Sequence, residues 1–197
     1  MRAATLLLAL AALTPANARA QRVEITPFAG FKAAGEVVDD RGRSIDLNGP
    51  SAGVAIDIAI HRNLWLTVLF SRAWSEVDLA TTAGVEQRTF TVDTWHAGVL
   101  QEVPREKLRP FVGASIGVTR YDAGTLDADA EYLFGIALGG GVKLLLAEWI
   151  GIRAEARGMA NFVSGAGALA CGGGCVLVFD SDVLWLGEAT IGAVLRF

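Results

Sequence analysis

The chain has 197 residues, 52% of them hydrophobic, with a mean hydropathy of +0.42 and a formal net charge of −4. A chain of this length can form one domain with a full core. The acidic balance argues against nucleic acid as a partner, because phosphate binding depends on a basic patch and the sequence has none.

The first twenty residues have the pattern of a secretory signal peptide. A short basic start precedes an apolar segment at residues 3–13, and Ala18-Arg19-Ala20 fits a small-x-small cleavage site. The apolar segment is too short to span a bilayer as a helix, which disfavours the alternative of an N-terminal membrane anchor. We therefore expect residues 1–20 to be removed on export, which leaves residues 21–197 as one domain.

The remainder of the chain is apolar but offers no good spanning helix. Its long uncharged stretch, residues 158–179, is rich in glycine and contains Asn161 and Ser164. In lipid only helices and closed barrels satisfy every backbone hydrogen bond, so this composition favours a barrel.

Alternation of apolar and polar residues predicts eight strands. Counting back in twos from Phe197 to residue 183 meets no charge, whereas the offset positions include Glu188 and Arg196. The expected strands are residues 22–32, 51–60, 64–74, 88–101, 108–121, 131–144, 150–163 and 183–197.

The expected connections alternate between long and short. The long ones are residues 33–50, 75–87, 122–130 and 164–181, and the short ones are residues 61–63, 102–107 and 146–148. Short periplasmic turns and longer external loops are typical of outer-membrane barrels. The sequence thus predicts an all-β fold, an eight-stranded antiparallel up-and-down transmembrane β-barrel.

Four segments carry a family resemblance: Glu24-Ile25-Thr26-Pro27-Phe28-Ala29-Gly30-Phe31, and residues 108–121, 138–143 and 151–157. They resemble the small bacterial outer-membrane β-barrel domain proteins, similar in architecture to the OmpA transmembrane domain, OmpX and OmpW. The resemblance covers nearly the whole exported chain. It implies residence in the bacterial outer membrane, contact with outer-membrane lipid and lipopolysaccharide, and a monomer. In that group Phe197 looks like the signal read by the barrel assembly machinery.

If the apolar faces contact lipid, the opposite faces line the interior and carry ionisable residues. A narrow lumen holds unpaired ions only at high cost, so we expect a paired network. The register of the fourth strand is ambiguous, because Trp95 and His96 compete for the lipid side. The expected interior charges are Glu24, Lys32, Asp57, Asp93, Lys143, Arg153, Glu155, Arg157, Glu188 and Arg196.

Two interpretations of this interior remain open. An eight-stranded barrel is only just wide enough for its side chains, which favours a structural plug. The alternative is a narrow channel for small or hydrophobic solutes, with space left by small inward residues. The expected inward glycines are Gly53, Gly113, Gly117, Gly135, Gly139 and Gly141.

Catalysis is not expected. Some eight-stranded outer-membrane barrels resemble lipid A deacylases or palmitoyl transferases, which use a His, a Ser and a carboxylate near the external rim. Here His61 falls in a predicted periplasmic turn and His96 lies mid-strand, so no nucleophile and base can be named. We expect no cofactor and no metal. A lipocalin-like carrier is disfavoured, because it would place Arg153, Glu155 and Arg157 outside.

Cys171 and Cys175 lie in one expected external loop and are separated by three glycines. Export to an oxidising compartment favours a disulfide between them, whereas two thiols alone do not complete a zinc site.

The aromatic residues expected at the membrane interfaces are Trp65, Trp74, Tyr121, Tyr132, Trp149 and Trp185, with Trp95 expected to pack inside. The function expected from all of this is a structural or surface-interaction role through the external loops.

Overall fold

The fold was analysed in a computed structural model, which describes residues 22–34, 37–39, 44–45, 48–81, 84–122, 130–162, 168–171, 175–178 and 183–197. These residues form twelve strands: β1 (Val23–Ala34), β2 (Val37–Asp39), β3 (Ser44–Ile45), β4 (Gly49–Ala59), β5 (Leu64–Thr81), β6 (Gly84–Glu102), β7 (Leu108–Asp122), β8 (Glu131–Leu145), β9 (Ile150–Phe162), β10 (Ala168–Cys171), β11 (Cys175–Val178) and β12 (Val183–Arg196). In the described ranges no helix is long and apolar enough to cross a membrane.

Eight strands close into a barrel in the order β1-β12-β9-β8-β7-β6-β5-β4, and every neighbouring pair is antiparallel. Strand β1 closes the cylinder because it pairs with β4 on one side and with β12 on the other. The backbone groups of Val23 and Phe197 exchange hydrogen bonds of 2.9 and 3.2 Å at this seam. The predicted eight-stranded antiparallel barrel is confirmed.

Side-chain burial alternates along the barrel strands as the pleat requires. In β12, Leu184, Leu186 and Glu188 are buried, whereas Trp185 and Ile191 between and beyond them are exposed. The wall therefore has an apolar outer face rich in branched and aromatic residues, the types that fit a pleated surface well.

The interior has two parts. Its end near the short turns is ionic, because charged side chains of most barrel strands meet there. Its end near the long connections is apolar and is filled by Phe90, Val92, Tyr121, Leu133, Met159, Leu184 and Leu186, all of them buried.

Three of the loop predictions are wrong in detail. Residues 75–87 were expected to be a loop, but β5 continues to Thr81 and β6 begins at Gly84, with paired positions up to Thr81 opposite Gly84. The expected loops at residues 33–50 and 164–181 contain short strands, which form a four-stranded sheet in the order β10-β11-β2-β3. Charge and turn residues indicated loops, but backbone pairing continues in these segments.

Candidate functional site in the barrel interior

The buried end of Lys143 is the centre of the ionic half of the interior. Its Nζ atom lies 2.6 Å from Glu24 Oε2, 3.2 Å from Asp57 Oδ2 and 2.8 Å from Glu102 Oε1. These four side chains come from β1, β4, β6 and β8. The ammonium group on β8 thus contacts carboxylates on three strands that are not neighbours of β8 in the sheet. A buried ammonium with three carboxylates is stable only while all partners are present.

Arginines complete the neutralisation of two of these carboxylates. Arg153 Nη1 donates to Asp57 Oδ2 at 2.7 Å, and its Nη2 lies 2.7 Å from Glu155 Oε2. Arg196 Nε donates to Glu24 Oε1 at 2.7 Å. Glu102 has a weaker second partner, because Arg109 Nη1 is 3.7 Å from its Oε2.

Aromatic rings cover this cluster from within the barrel. Lys143 Nζ lies 4.9 Å from the centroid of the Trp65 ring, and the Arg153 guanidinium lies 4.6 Å from that of Phe111. Both distances are in the range of cation–π attraction. The rings and ion pairs together leave little free cross-section at this level.

A second ionic group lies further along the lumen around Glu188. Ser71 Oγ donates to Glu188 Oε1 at 2.5 Å, and Arg157 Nε lies 3.5 Å from Glu188 Oε2. Lys32 Nζ donates to Thr94 Oγ1 at 2.9 Å and is 3.9 Å from Glu188. Arg157 also approaches Glu155 at 3.7 Å, which connects this group with the cluster around Lys143.

Neutral hydrogen bonds add to the packing between these groups and the apolar end. His96 Nδ1 lies 3.1 Å from Ser115 Oγ, and Thr119 Oγ1 donates to Asn161 Oδ1 at 2.8 Å. The histidine and serine are far apart in sequence and meet only because β6 and β7 are paired. The pair adds a side-chain hydrogen bond between two neighbouring strands inside the barrel.

Nine of the ten charges expected inside are brought together there: Glu24, Lys32, Asp57, Lys143, Arg153, Glu155, Arg157, Glu188 and Arg196. The exception is Asp93. It points to the outer face, the same side as exposed Trp95, whereas Thr94 and His96 point inward and are buried. Asp93 instead pairs with Arg72 at 2.6 Å on the outer wall.

Sequence reasoning missed Glu102 and Arg109, which it had assigned to a turn and to the start of a strand. Continuing the inward parity of His96 and Leu100 to residue 102 would have placed Glu102 inside, because side chains two apart share a face. The hydroxyl partners Ser71 and Thr94 carry no comparable charge signal.

The aromatic predictions hold only in part. Trp74, Tyr132, Trp149 and Trp185 are exposed on the outside, but Trp65 and Tyr121 are buried in the interior. Trp95, expected to pack inside, is 41% exposed and lies beside Phe70, with ring centroids 5.6 Å apart and the ring planes tilted by 38°. Inside the barrel, Trp65 packs against Leu100 and Phe111, and Tyr121 lies near Phe90.

The inward glycines make room for neighbouring side chains rather than for a pore. A Cβ atom would lie 2.6 Å from Phe28 Cζ at Gly53, 2.8 Å from Phe111 Cζ at Gly141 and 2.5 Å from His96 Cδ2 at Gly117. A similar overlap with Asn161 Oδ1 occurs at Gly135. Aromatic and polar groups therefore fill the space that the missing side chains leave.

A cavity of about 40 Å³ lies between the two ionic groups. Its lining includes Gly113, Ser115, Gly139, Arg153 and Arg157. A water molecule needs about 10–15 Å³ by this measure, so the cavity accommodates a few waters and no larger solute.

Several expected features lie outside the described residues or side chains. The signal peptide at residues 1–20 is one of them. Strands β10 and β11 place Cys171 and Cys175 at opposite positions of one antiparallel pair, but the disulfide itself stays a prediction. Phe197 is exposed at the end of β12, and its role in assembly also stays a prediction.

No protein-family model and no curated protein sequence matches the chain. Solved structures do match it. The crystal structure of Neisserial surface protein A has a TM-score of 0.61 at 16% identity, covering 89% of this chain and 97% of that one. The outer membrane protein OprG from Pseudomonas aeruginosa has a TM-score of 0.58 at 12% identity, with 90% and 96% covered. The N-terminal β-barrel domain of Pseudomonas aeruginosa OprF has a TM-score of 0.52 at 14% identity, with 90% and 98% covered.

At these identities the likeness concerns the fold. The chain has the closed eight-stranded architecture of the small outer-membrane β-barrels, as the sequence resemblance implied.

Proposed function

We propose that this protein is an integral barrel of the bacterial outer membrane with a structural or surface-interaction role, exerted through its external loops and without catalysis. The observation that supports this best is the filled interior, in which Lys143 joins Glu24, Asp57 and Glu102 by ion pairs of 2.6 to 3.2 Å. A lumen closed by such contacts has no room for a substrate, which leaves the loops as the accessible part.

The outer wall supports membrane residence. Large apolar side chains such as Val112, Ile116, Leu138 and Ile191 are exposed on it, which would be unfavourable in water. In a bilayer the same wall satisfies the requirement that every backbone group be paired, because a closed barrel has no free edge. We propose export with removal of residues 1–20, insertion by the barrel assembly machinery with Phe197 as its signal, and a monomer in contact with lipid and lipopolysaccharide.

Orientation can be tested with an epitope inserted at two positions. An epitope between residues 125 and 126 should be labelled by antibody on intact cells, because it lies in an expected external loop. The matched control is the same epitope between residues 105 and 106, in the turn between β6 and β7, which should be labelled only after the outer membrane is permeabilised. Labelling of the control on intact cells would contradict the proposed orientation.

A second candidate is a narrow channel, and the cavity of about 40 Å³ between the ionic groups favours it. Recordings from planar bilayers separate the two functions. We expect no steady single-channel steps from the purified protein. If steps occur, Gly139→Leu should block them because Gly139 lines the cavity, whereas Gly140→Leu on the outer face should not. Conductance that Gly139→Leu blocks and Gly140→Leu does not block would support the channel and contradict the closed barrel.

A further inference from the structure

The outer wall of the barrel carries charge in one area. Among the side chains described, the outward ones of β8, β9, β12, β1 and β4 are uncharged, whereas those of β5, β6 and β7 include five ionisable groups. These are Arg72, Glu76, Asp93, Arg120 and Asp122. Arg72 and Asp93 lie near the middle of their strands, whereas Glu76, Arg120 and Asp122 lie on the halves that lead away from the short turns.

Three of these groups form a row across neighbouring strands. Asp93 is the direct partner of Arg72 on β5 and of Arg120 on β7. Arg72 donates from Nε and Nη2 to the two oxygens of Asp93 at 2.6 and 2.8 Å. Arg120 Nη1 lies 3.6 Å from Asp93 Oδ2, and its Nη2 donates to Asp122 at 2.5 Å.

The exposed part of this row is cationic. The Asp93 side chain is only 2% exposed, whereas that of Arg72 is 43% exposed and that of Arg120 is 30% exposed. The carboxylate thus holds both guanidinium groups in place from beneath. Arg72 Nη1 takes no part in the bidentate contact with Asp93, whereas Arg120 Nε, which has no hydrogen-bond partner, is buried.

The row lies at the upper edge of the apolar wall. At about 3.3 Å per residue and a tilt of about 40°, Arg72 lies about 20 Å above the start of β5 and Arg120 about 30 Å above the start of β7. These heights bracket the apolar band of about 25 Å that outer-membrane barrels show. Directly below the row, Trp95 on β6 is opposite Phe70 and Val118. At the level of the row, Tyr132 on β8 is opposite Arg120. Aromatic rings at this level mark the interface between acyl chains and headgroups.

We propose that Arg72 and Arg120 bind a phosphate group of an anionic lipid in the outer leaflet. Guanidinium groups bind phosphate through forked, charge-assisted hydrogen bonds, and a site that is partly shielded from water strengthens them. The occupant is a lipid because acyl chains attached to such a phosphate would lie on the apolar wall immediately below. Asp122 competes with the phosphate for Arg120 and so limits the affinity. This site rests on the proposed membrane residence and is independent of what the loops bind.

Lipid A, a glycolipid with two phosphate groups, is the probe for the test. The protein is refolded into phosphatidylcholine nanodiscs and titrated with lipid A, with bound lipid counted by native mass spectrometry. We expect Arg72→Gln and Arg120→Gln each to weaken binding about tenfold, the loss typical of one charge-assisted contact. Asp122→Asn should strengthen binding, because it releases Arg120. Arg105→Gln, which removes an exposed arginine from the turn at the other end, is the matched control and should change nothing.

Equal binding of lipid A by all variants would overturn the proposal. Complete displacement of lipid A by inorganic phosphate would also overturn it, because the site would then bind a free anion rather than a lipid. Folding of each variant is checked by heat-modifiable migration on a gel. If Arg72→Gln does not fold, Arg120→Gln and Asp122→Asn still decide the matter, because a purely structural role does not predict effects of opposite sign. A protein that does not enter nanodiscs at all would contradict the membrane proposal instead.

Discussion

Removal of the Lys143 ammonium tests whether the ionic cluster holds the barrel together. Lys143→Met keeps an unbranched side chain of similar length but deletes the charge that contacts Glu24, Asp57 and Glu102 within 3.2 Å. The three carboxylates are buried, so they cannot recover the lost interaction by contact with water. Removing one partner from a buried ion pair costs about 3–5 kcal/mol.

The loss should not be shared equally by the three carboxylates. Glu24 keeps Arg196 at 2.7 Å and Asp57 keeps Arg153 at 2.7 Å, whereas Glu102 keeps only Arg109 at 3.7 Å. Glu102 is therefore the group left with an uncompensated charge. We expect the double variant Lys143→Met with Glu102→Gln to recover a substantial part of the stability that the single variant loses.

Urea unfolding of the protein in phospholipid vesicles, followed by heat-modifiable migration, measures the free energy of unfolding. Fluorescence of Trp65 gives a second signal, because its ring lies 4.9 Å from the ammonium that is removed. Lys107→Met, at an exposed lysine in the turn between β6 and β7, is the control and should leave stability within about 0.5 kcal/mol. A loss of less than about 1 kcal/mol for Lys143→Met, or no recovery in the double variant, would refute the reasoning.

Three further predictions follow from the same structure and sequence. Gly141→Ala should destabilise the barrel by about 1–3 kcal/mol in urea, because its Cβ would overlap the backbone oxygen of Ala154 and lie 2.8 Å from Phe111 Cζ. Gly140→Ala should cost less, because the nearest atom to its Cβ, Phe111 O, is 3.2 Å away, and equal losses would contradict the packing argument. Cys171 and Cys175 should react with a thiol reagent only after reduction, and labelling without reductant would exclude the disulfide. Sequencing of the exported protein should begin at Gln21, and a chain that retains Met1 would disprove cleavage.

The barrel could be predicted from the sequence because a strand's side chains alternate with a period of two. Once Phe197, Ile191 and Trp185 were assigned to the outside, Glu188 and Arg196 had to lie inside. The same parity placed Lys143, Arg153 and Arg157 in the lumen. Which charges contact each other could not be predicted, because the pairs cross the lumen between strands far apart in sequence, as with Glu24 and Lys143.

Asp93 shows where the sequence argument failed. The ambiguous register of the fourth strand allows Asp93 to be counted among the interior charges, although it shares a face with Trp95. Charge on the outer wall is costly at mid-membrane but nearly free at the interface. Parity alone would have placed Asp93 outside, and only the height of the residue along the strand explains why it is tolerated there.

The glycines show a different kind of limit. Gly53, Gly117 and Gly141 were correctly placed on inward faces, but a glycine in the sequence shows only that a side chain is missing. What fills the space depends on cross-strand neighbours such as Phe28, His96 and Phe111. The glycines alone therefore suggest free space, whereas in the structure neighbouring side chains occupy much of it.

The position of the ionic cluster explains why a barrel would keep costly buried charges at all. Backbone hydrogen bonds connect each strand only to its two neighbours, so they fix the wall but not the shape of its cross-section. Lys143 on β8 reaches Glu24 on β1 and Asp57 on β4, on the far side of the lumen. Contacts across the lumen resist flattening of the cylinder in a way that neighbouring strands cannot. The cluster around Lys143 is therefore a cross-brace, and its loss should loosen the barrel as a whole rather than one hairpin.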